Sequence, residues 1–353
     1  MRGGSPVATE PEQVFREDLT EVAARVRKGL EAEIAESDQE LPPREATADR
    51  IGRAAQEERA RVLEAGARGL EKLAAGREDD IDEDEYFGVE AIVLLEGRPA
   101  ILVQGQDFPP QPGDWAVLDG QRTGIRDSLA RVGRVEVTGH PSFDWLGTGF
   151  LVAPDVVMTN RHVAAEFGRA DGSGGFVFRD GMTARVDTAE EFDAPESDAF
   201  EFAVTGIIGI HQVVDMALLR VTPTAGGGGA LPTPLRISGA EPPELFGRPV
   251  YVVGYPARDG RRNEPQAMSR IFMDIYDVKR LQPGTVTGIR PDGSMGHDCS
   301  TLGGNSGSPV LDLTDHTVIG LHFGGRFRSG NFAVPLFRLT DDPLLKRAAV
   351  NFV

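Results

Sequence analysis

One cysteine, Cys299, in a chain of 353 residues leaves no partner for an internal disulfide. That fits a reducing compartment and excludes the disulfide-stapled secreted scaffolds. Long apolar runs are also missing: no stretch of 18 apolar residues occurs, and the N-terminus, Met1-Arg2-Gly3-Gly4-Ser5-Pro6, has no apolar signal core. The expectation is a soluble, cytoplasmic protein with no membrane partner. Positive charge is in deficit, with 37 Lys and Arg against 55 Asp and Glu and a net charge of −18. This argues against nucleic acid as a partner, because phosphates require a basic footprint. No Cys/His or carboxylate cluster has metal-ligand spacing, so neither a metal nor another cofactor is expected. Histidine is scarce as well, at six residues: His140, His162, His211, His297, His316 and His322.

What is present centres on Thr301-Leu302-Gly303-Gly304-Asn305-Ser306-Gly307-Ser308-Pro309-Val310. A serine among three glycines, with proline and an apolar strand behind it, suits a tight turn better than a core element. A hydroxyl held there stands clear of its own backbone. Serine is a poor nucleophile at neutral pH unless a base takes its proton and donors stabilise the oxyanion that forms. His162 is the histidine placed to serve: residues 147–163 read as a strand, a turn at Ala153-Pro154-Asp155, a second strand, and then Thr159-Asn160-Arg161-His162-Val163. Asp215 is the one carboxylate inside the apolar, strand-like run His211–Val221, and a buried acid needs a partner.

The order His162, Asp215, Ser306 at these motifs resembles the trypsin-like (chymotrypsin-fold) serine peptidases, over roughly residues 133–345. An α/β-hydrolase reading fails, because Ser308 breaks the Gly-x-Ser-x-Gly elbow and the triad order differs. The resemblance implies a mainly β fold of two antiparallel six-stranded barrels. It also implies the roles: Ser306 as nucleophile, His162 as the base that later protonates the leaving amine, and Asp215 as the group that orients the imidazole. Asp193 and Asp198 sit in loop-like acidic surroundings and are weaker candidates for the acid. The oxyanion hole is expected from the backbone N–H groups of Gly304 and Ser306.

By motif alignment, Ser300 and Thr301 line the floor and one wall of the substrate pocket, and His322, Phe323 and Gly324 the opposite wall. No aspartate occupies the floor, so a preference for Lys or Arg is not expected. Thr301 with His322 is similar to the glutamyl-endopeptidase branch, which binds an acidic side chain. Two hydroxyls and an imidazole could hydrogen-bond a carboxylate, whereas the charge of −18 slows acidic substrates at long range. Acidic and small or uncharged P1 residues both stay open. Asn305 stands where trypsin-like zymogens carry the aspartate that receives a newly cut amino terminus, so that switch is unavailable. His140, His211, His297, Asp298 and His316 are left as surface or core residues, and Cys299 as a buried hydrophobe.

Apolar residues recur at helical spacing over residues 11–38 (Val14, Phe15, Leu19, Val22, Val26, Leu30, Ile34) and again over 45–75, with Leu41-Pro42-Pro43 between. A helical hairpin is expected, able to dock on the peptidase or on a protein partner. The acidic run Glu78–Glu85 reads as a solvated linker closing a segment 1–85. Residues 86–132 form a connecting segment that begins with a β-hairpin turning at Gly97-Arg98-Pro99. The first barrel should span about 134–222 and the second about 235–338, joined by a flexible crossing at Gly226 to Gly229. A helix within 341–353 should be capped by Asp342, with Pro343 in its first turn. Two functions fit. One is a cytoplasmic serine endopeptidase acting on a protein or peptide substrate and regulated by its N-terminal segment. The other is a catalytically silent scaffold acting through its helices.

Overall fold

The computed structural model describes residues 98–353 except 196, 259–271 and 327–329, together with 64–69, 71, 72, 75, 77, 80, 82 and 85. The chain forms two compact units, Met1–Gly97 and Arg98–Val353. In the first unit residues 64–69 are helical, and Ala65 and Ala67 are buried. The expected helix over 11–38 and the first strand of the expected hairpin lie outside the described residues. Glu85 departs from the solvated reading of the acidic run: it is buried, with Lys72 Nζ 2.5 Å from its carboxylate.

The second unit opens with β1 (Ile101–Leu102). The first barrel then closes from β2 (Val132–Thr138), β3 (Trp145–Ala153), β4 (Val156–Thr159), β7 (Thr183–Asp187), β8 (Glu201–Ile210) and β9 (Ala217–Val221), in the order β2-β3-β4-β9-β8-β7. A helix, α2 (Arg161–Phe167), and a small hairpin of β5 (Gly168–Ala170) and β6 (Phe176–Phe178) follow β4. The second barrel contains β10 (Pro249–Gly254), β11 (Arg280–Ile289), β12 (Met295–His297), β13 (Pro309–Asp312), β14 (Val318–Arg326) and β15 (Gly330–Pro335). Its ring runs β11-β10-β13-β14-β15-β12 and closes through β12 on β11, while β1 adds outside on β11. Every pairing in both barrels is antiparallel.

Alternation decides how these strands pack. Along β3, Leu151 points into the first barrel with Val135, Val157 and Leu219. Phe150 and Val152 point the other way, into a core shared with Tyr251, Val253 and Leu311 of the second barrel. On β10, Val250 and Val252 fill the second barrel's own interior. Both faces of such strands are therefore buried, which is why they read as continuous apolar runs although the sheets are antiparallel. The turn between β3 and β4 places Asp155 at φ +57°, a conformation Asp tolerates better than most residues. Arg220 Nη1 holds its carboxylate at 2.8 and 2.9 Å.

Residues 98–132 are part of this shared core. Val103, Phe108, Trp115 and Leu118, with Ile125 and Leu129 of α1 (Arg122–Leu129), are buried among the residues that join the barrels. Lys279, fully buried, donates to Leu129 O at 2.9 Å and Thr188 O at 2.6 Å, and burial pushes its ammonium down to about 8. The four glycines are a closed turn and no loose joint, since Ala225 N donates to Gly229 O at 2.7 Å. The crossing itself lies at Leu235 and Arg236. Leu235 N donates to Leu151 O of the first barrel, and the next carbonyl accepts from Val318 N of the second. At the C-terminus, Asp342 Oδ1 caps Leu344 N and Leu345 N of α3 (Pro343–Arg347) at 2.9 and 3.1 Å.

Candidate active site

β4 ends at Thr159, and buried Asn160 leads into α2 (Arg161–Phe167), which presents His162 in its first turn. Asn160 Nδ2 donates to Asp215 O at 2.9 Å, fixing the backbone that carries the acid. Asp215 then receives two donors from one residue: His162 N at 3.1 Å to Oδ1 and His162 Nδ1 at 2.8 Å to Oδ2. Burial pushes the Asp215 carboxyl up, but the hydrogen bond and charge of His162 outweigh it, and the net shift is downward. A carboxylate that stays ionised holds Nδ1 protonated and leaves Nε2 as the basic nitrogen. Asp215 sits in the turn before β9 and not inside the strand. Asp198 lies instead beside the glycine turn, where Gly227 N donates to its carbonyl.

Ser306 comes from the second barrel, in the turn before β13. The two halves are joined by Thr148, a residue the sequence does not flag. Thr148 N donates to Ser306 O at 2.8 Å, and Thr148 Oγ1 donates to Gly304 O at 2.8 Å. A Cβ added to Gly147 would sit 2.8 Å from Ser306 O and 2.9 Å from Val163 Cγ2. The serine turn therefore lies against the residue that follows His162. Among the described residues no hydrogen bond joins Ser306 Oγ to His162. Catalytic hydrogen bonds are commonly long without substrate and tighten when it binds.

The oxyanion candidates are built by the same turn. Gly303 O accepts from Ala257 N at 2.6 Å and Asn305 O accepts from Ser308 N at 2.9 Å. In a planar trans peptide the N–H points opposite the C=O. The Gly304 and Ser306 amides thus face away from those bonds, and neither has an acceptor among the described residues. Gly304 adopts φ +85° and Gly307 φ +92°, a region open to glycine at no steric cost. Asn305 is buried, and its side-chain hydrogen bonds among the described residues are neutral, with Leu302 O at 3.4 Å and Ser308 Oγ at 3.5 Å.

The expected pocket residues divide. Ser300 Oγ donates to Arg98 O at 2.6 Å, so its hydrogen is already committed away from any substrate. Thr301 has no hydrogen-bond partner among the described residues. His322 is buried, and its Nδ1 lies 3.0 Å from His297 Nε2. Burial pushes His322 well below the usual histidine range, the nearby His297 and His162 adding to the effect, and burial pushes His297 down to about 4. Both rings are neutral at pH 7. His297 Nδ1 has no partner among the described residues, and an orphaned buried acceptor is tolerated better than an orphaned N–H. That assigns the proton of His297 to Nε2, donated to His322 Nδ1, and leaves His322 Nε2–H as a donor. A register shift between His322 and Gly324 in the β14–β15 ladder marks a bulge at Phe323. At Gly324 a Cβ would meet nothing within 4 Å. His297 was legible only as the residue two positions from buried Met295 on the same strand face.

Two antiparallel barrels, a histidine–aspartate pair on the first and a glycine-held serine on the second, define a trypsin-like peptidase. Residues 147–321 match the trypsin-like peptidase domain family. A Lysobacter enzymogenes protein named "Probable serine protease" is 30% identical over 312 residues, 78% of this chain and 79% of its own length. A serine protease of Mycobacterium tuberculosis is 31% identical over 182 residues, which cover 50% of this chain but only 36% of that protein. The crystal structure of the serine endoprotease from Yersinia pestis overlays with a TM-score of 0.44 at 17% identity, over 67% of this chain and 68% of that one. The chain belongs to the trypsin-like serine peptidase family.

Proposed function

We propose that this protein is a serine endopeptidase whose triad is His162, Asp215 and Ser306. Ser306 Oγ attacks the scissile carbonyl while His162 Nε2 takes its proton, and Asp215 stabilises the imidazolium. The C–N bond then breaks, His162 returns the proton to the leaving amine, and water hydrolyses the acyl-Ser306 ester. The Gly304 and Ser306 amides stabilise the oxyanion; losing one such donor costs about 10²–10³ in rate. The observation that carries this reading is the two-point hold of Asp215 on His162. A fluorophosphonate should label Ser306 in the wild-type protein and should not label Ser306→Ala. A wild-type protein that does not label would point to the scaffold reading.

For specificity, the Thr301 hydroxyl and the His322 Nε2–H are the pocket's polar groups, and they suit an acidic P1 residue as in the glutamyl-endopeptidase branch. The commitment of Ser300 Oγ to Arg98 O supports the second reading, a small uncharged P1. A peptide library cleaved only after Lys or Arg would overturn both. Limited proteolysis of a protein partner in a reducing, cytoplasmic setting, with residues 1–97 regulating the peptidase or docking it, completes the proposal.

A further inference from the structure

Residues 298–300 lead into the turn that carries Thr301 and Ser306, and each is held by a separate polar clamp. Asp298 Oδ1 accepts from Thr285 N at 2.6 Å, and Asp298 Oδ2 lies 2.5 Å from Arg98 Nη2. Cys299 O accepts from Asn331 Nδ2 at 2.5 Å, and Ser300 O accepts from Gln282 Nε2 at 2.7 Å. Ser300 Oγ donates to Arg98 O at 2.6 Å. Arg98 therefore holds both ends of the tripeptide, one through its guanidinium and one through its carbonyl. It is itself fixed from behind: Arg280 Nη1 donates to Ala100 O at 2.7 Å, and Ile101 and Leu102 pair with Leu281 and Arg280 on β11. The Arg98–Asp298 pair is about three-quarters buried on the arginine side.

We infer that Arg98 is a positioning residue for the substrate-pocket wall, and that its ion pair with Asp298 sets that wall without any newly cut amino terminus. Arg98 is the first residue of the peptidase unit. This inference rests on the reading of Ser300 and Thr301 as pocket residues. It predicts an effect on substrate binding separable from the chemistry, because hydrogen bonds join Arg98 to Asp298 and Ser300, on the strand side of the turn.

The test compares full-length wild type, Arg98→Ala and Arg98→Lys. Two probes are used: a small fluorophosphonate with no P1 side chain, and the p-nitroanilides of acetyl-Ala-Ala-Glu and acetyl-Ala-Ala-Ala. Arg98→Ala should label within about twofold of the wild-type rate, and for the better anilide KM should rise about tenfold with kcat little changed. Arg98→Lys keeps a cation within reach of Asp298 and should recover most of the KM. A KM within about twofold of wild type in Arg98→Ala overturns the inference, as does a parallel fall in labelling and kcat, which marks general loss of fold. Failure of the wild type to label removes the peptidase reading and this inference with it.

Discussion

At the scale of single residues, the buried imidazole pair decides how the protein meets acid. His297 and His322 lie 3.0 Å apart with no room for two charges, and burial pushes His297 down to about 4 from an ordinary 6.5. Above pH 6.5 both rings are neutral whether the chain is folded or not, so they contribute no pH dependence. Between pH 6.5 and about 4 the unfolded chain binds protons that the folded chain refuses, and stability must fall as pH falls. The slope from each such group is at most roughly 1.4 kcal/mol per pH unit. Urea midpoints taken from pH 7 to pH 4 should therefore decline, and His297→Gln, which keeps an amide to face His322 Nδ1, should decline less steeply. Equal slopes in the two proteins would show that the pair is not held neutral.

At the scale of the element, the turn 302–308 is a rigid device whose shape depends on Gly304. A Cβ there would stand 2.3 Å from Tyr255 O and 2.5 Å from Trp145 Cη2, on top of the strain of φ +85°. The tryptophan could swing aside, but the Tyr255 carbonyl belongs to the backbone after β10 and could not. Gly304→Ala should move the peptide that carries the proposed oxyanion donor and lower kcat/KM by at least about 10²-fold, as loss of one such donor does. The circular dichroism spectrum should stay wild-type. Adding Trp145→Ala should restore nothing, because the clash with Tyr255 O remains; recovery in the double variant would mean that the tryptophan alone sets the turn. The same element shows what a sequence can and cannot announce. The turn that carries Ser306 and the strand end that carries His162 were legible because each lies in a short local pattern of turn and strand residues, whereas Asp215 was read inside a strand and lies in the turn before it. The contacts of Thr148 and Arg98 were not legible, because they form only with partners far along the chain, as with Arg98 and Asp298, 200 positions apart. β12 escaped notice for another reason: three residues are too few to display an alternation.

At the scale of the molecule, the barrels were expected from the resemblance to trypsin-like peptidases, but the weight of residues 98–132 was not. The sequence suggested a peptidase domain over roughly residues 133–345. The structure buries Val103, Phe108, Trp115, Leu118, Ile125 and Leu129 in the core between the barrels. Burying each large apolar side chain contributes on the order of 1.5–3 kcal/mol, so their combined loss exceeds or matches the roughly 5–15 kcal/mol by which a domain is stable. A chain starting at Val135 should therefore be recovered only as aggregate, whereas Arg98–Val353 should be soluble and unfold in one cooperative transition. That longer fragment is the right comparison for regulation by residues 1–97. If the N-terminal unit restrains the peptidase, the fragment should label with fluorophosphonate and cleave peptides several-fold faster than the full chain; if it delivers substrate, peptide cleavage should match while cleavage of a protein substrate falls. Identical rates on every substrate would leave residues 1–97 without a part in the chemistry.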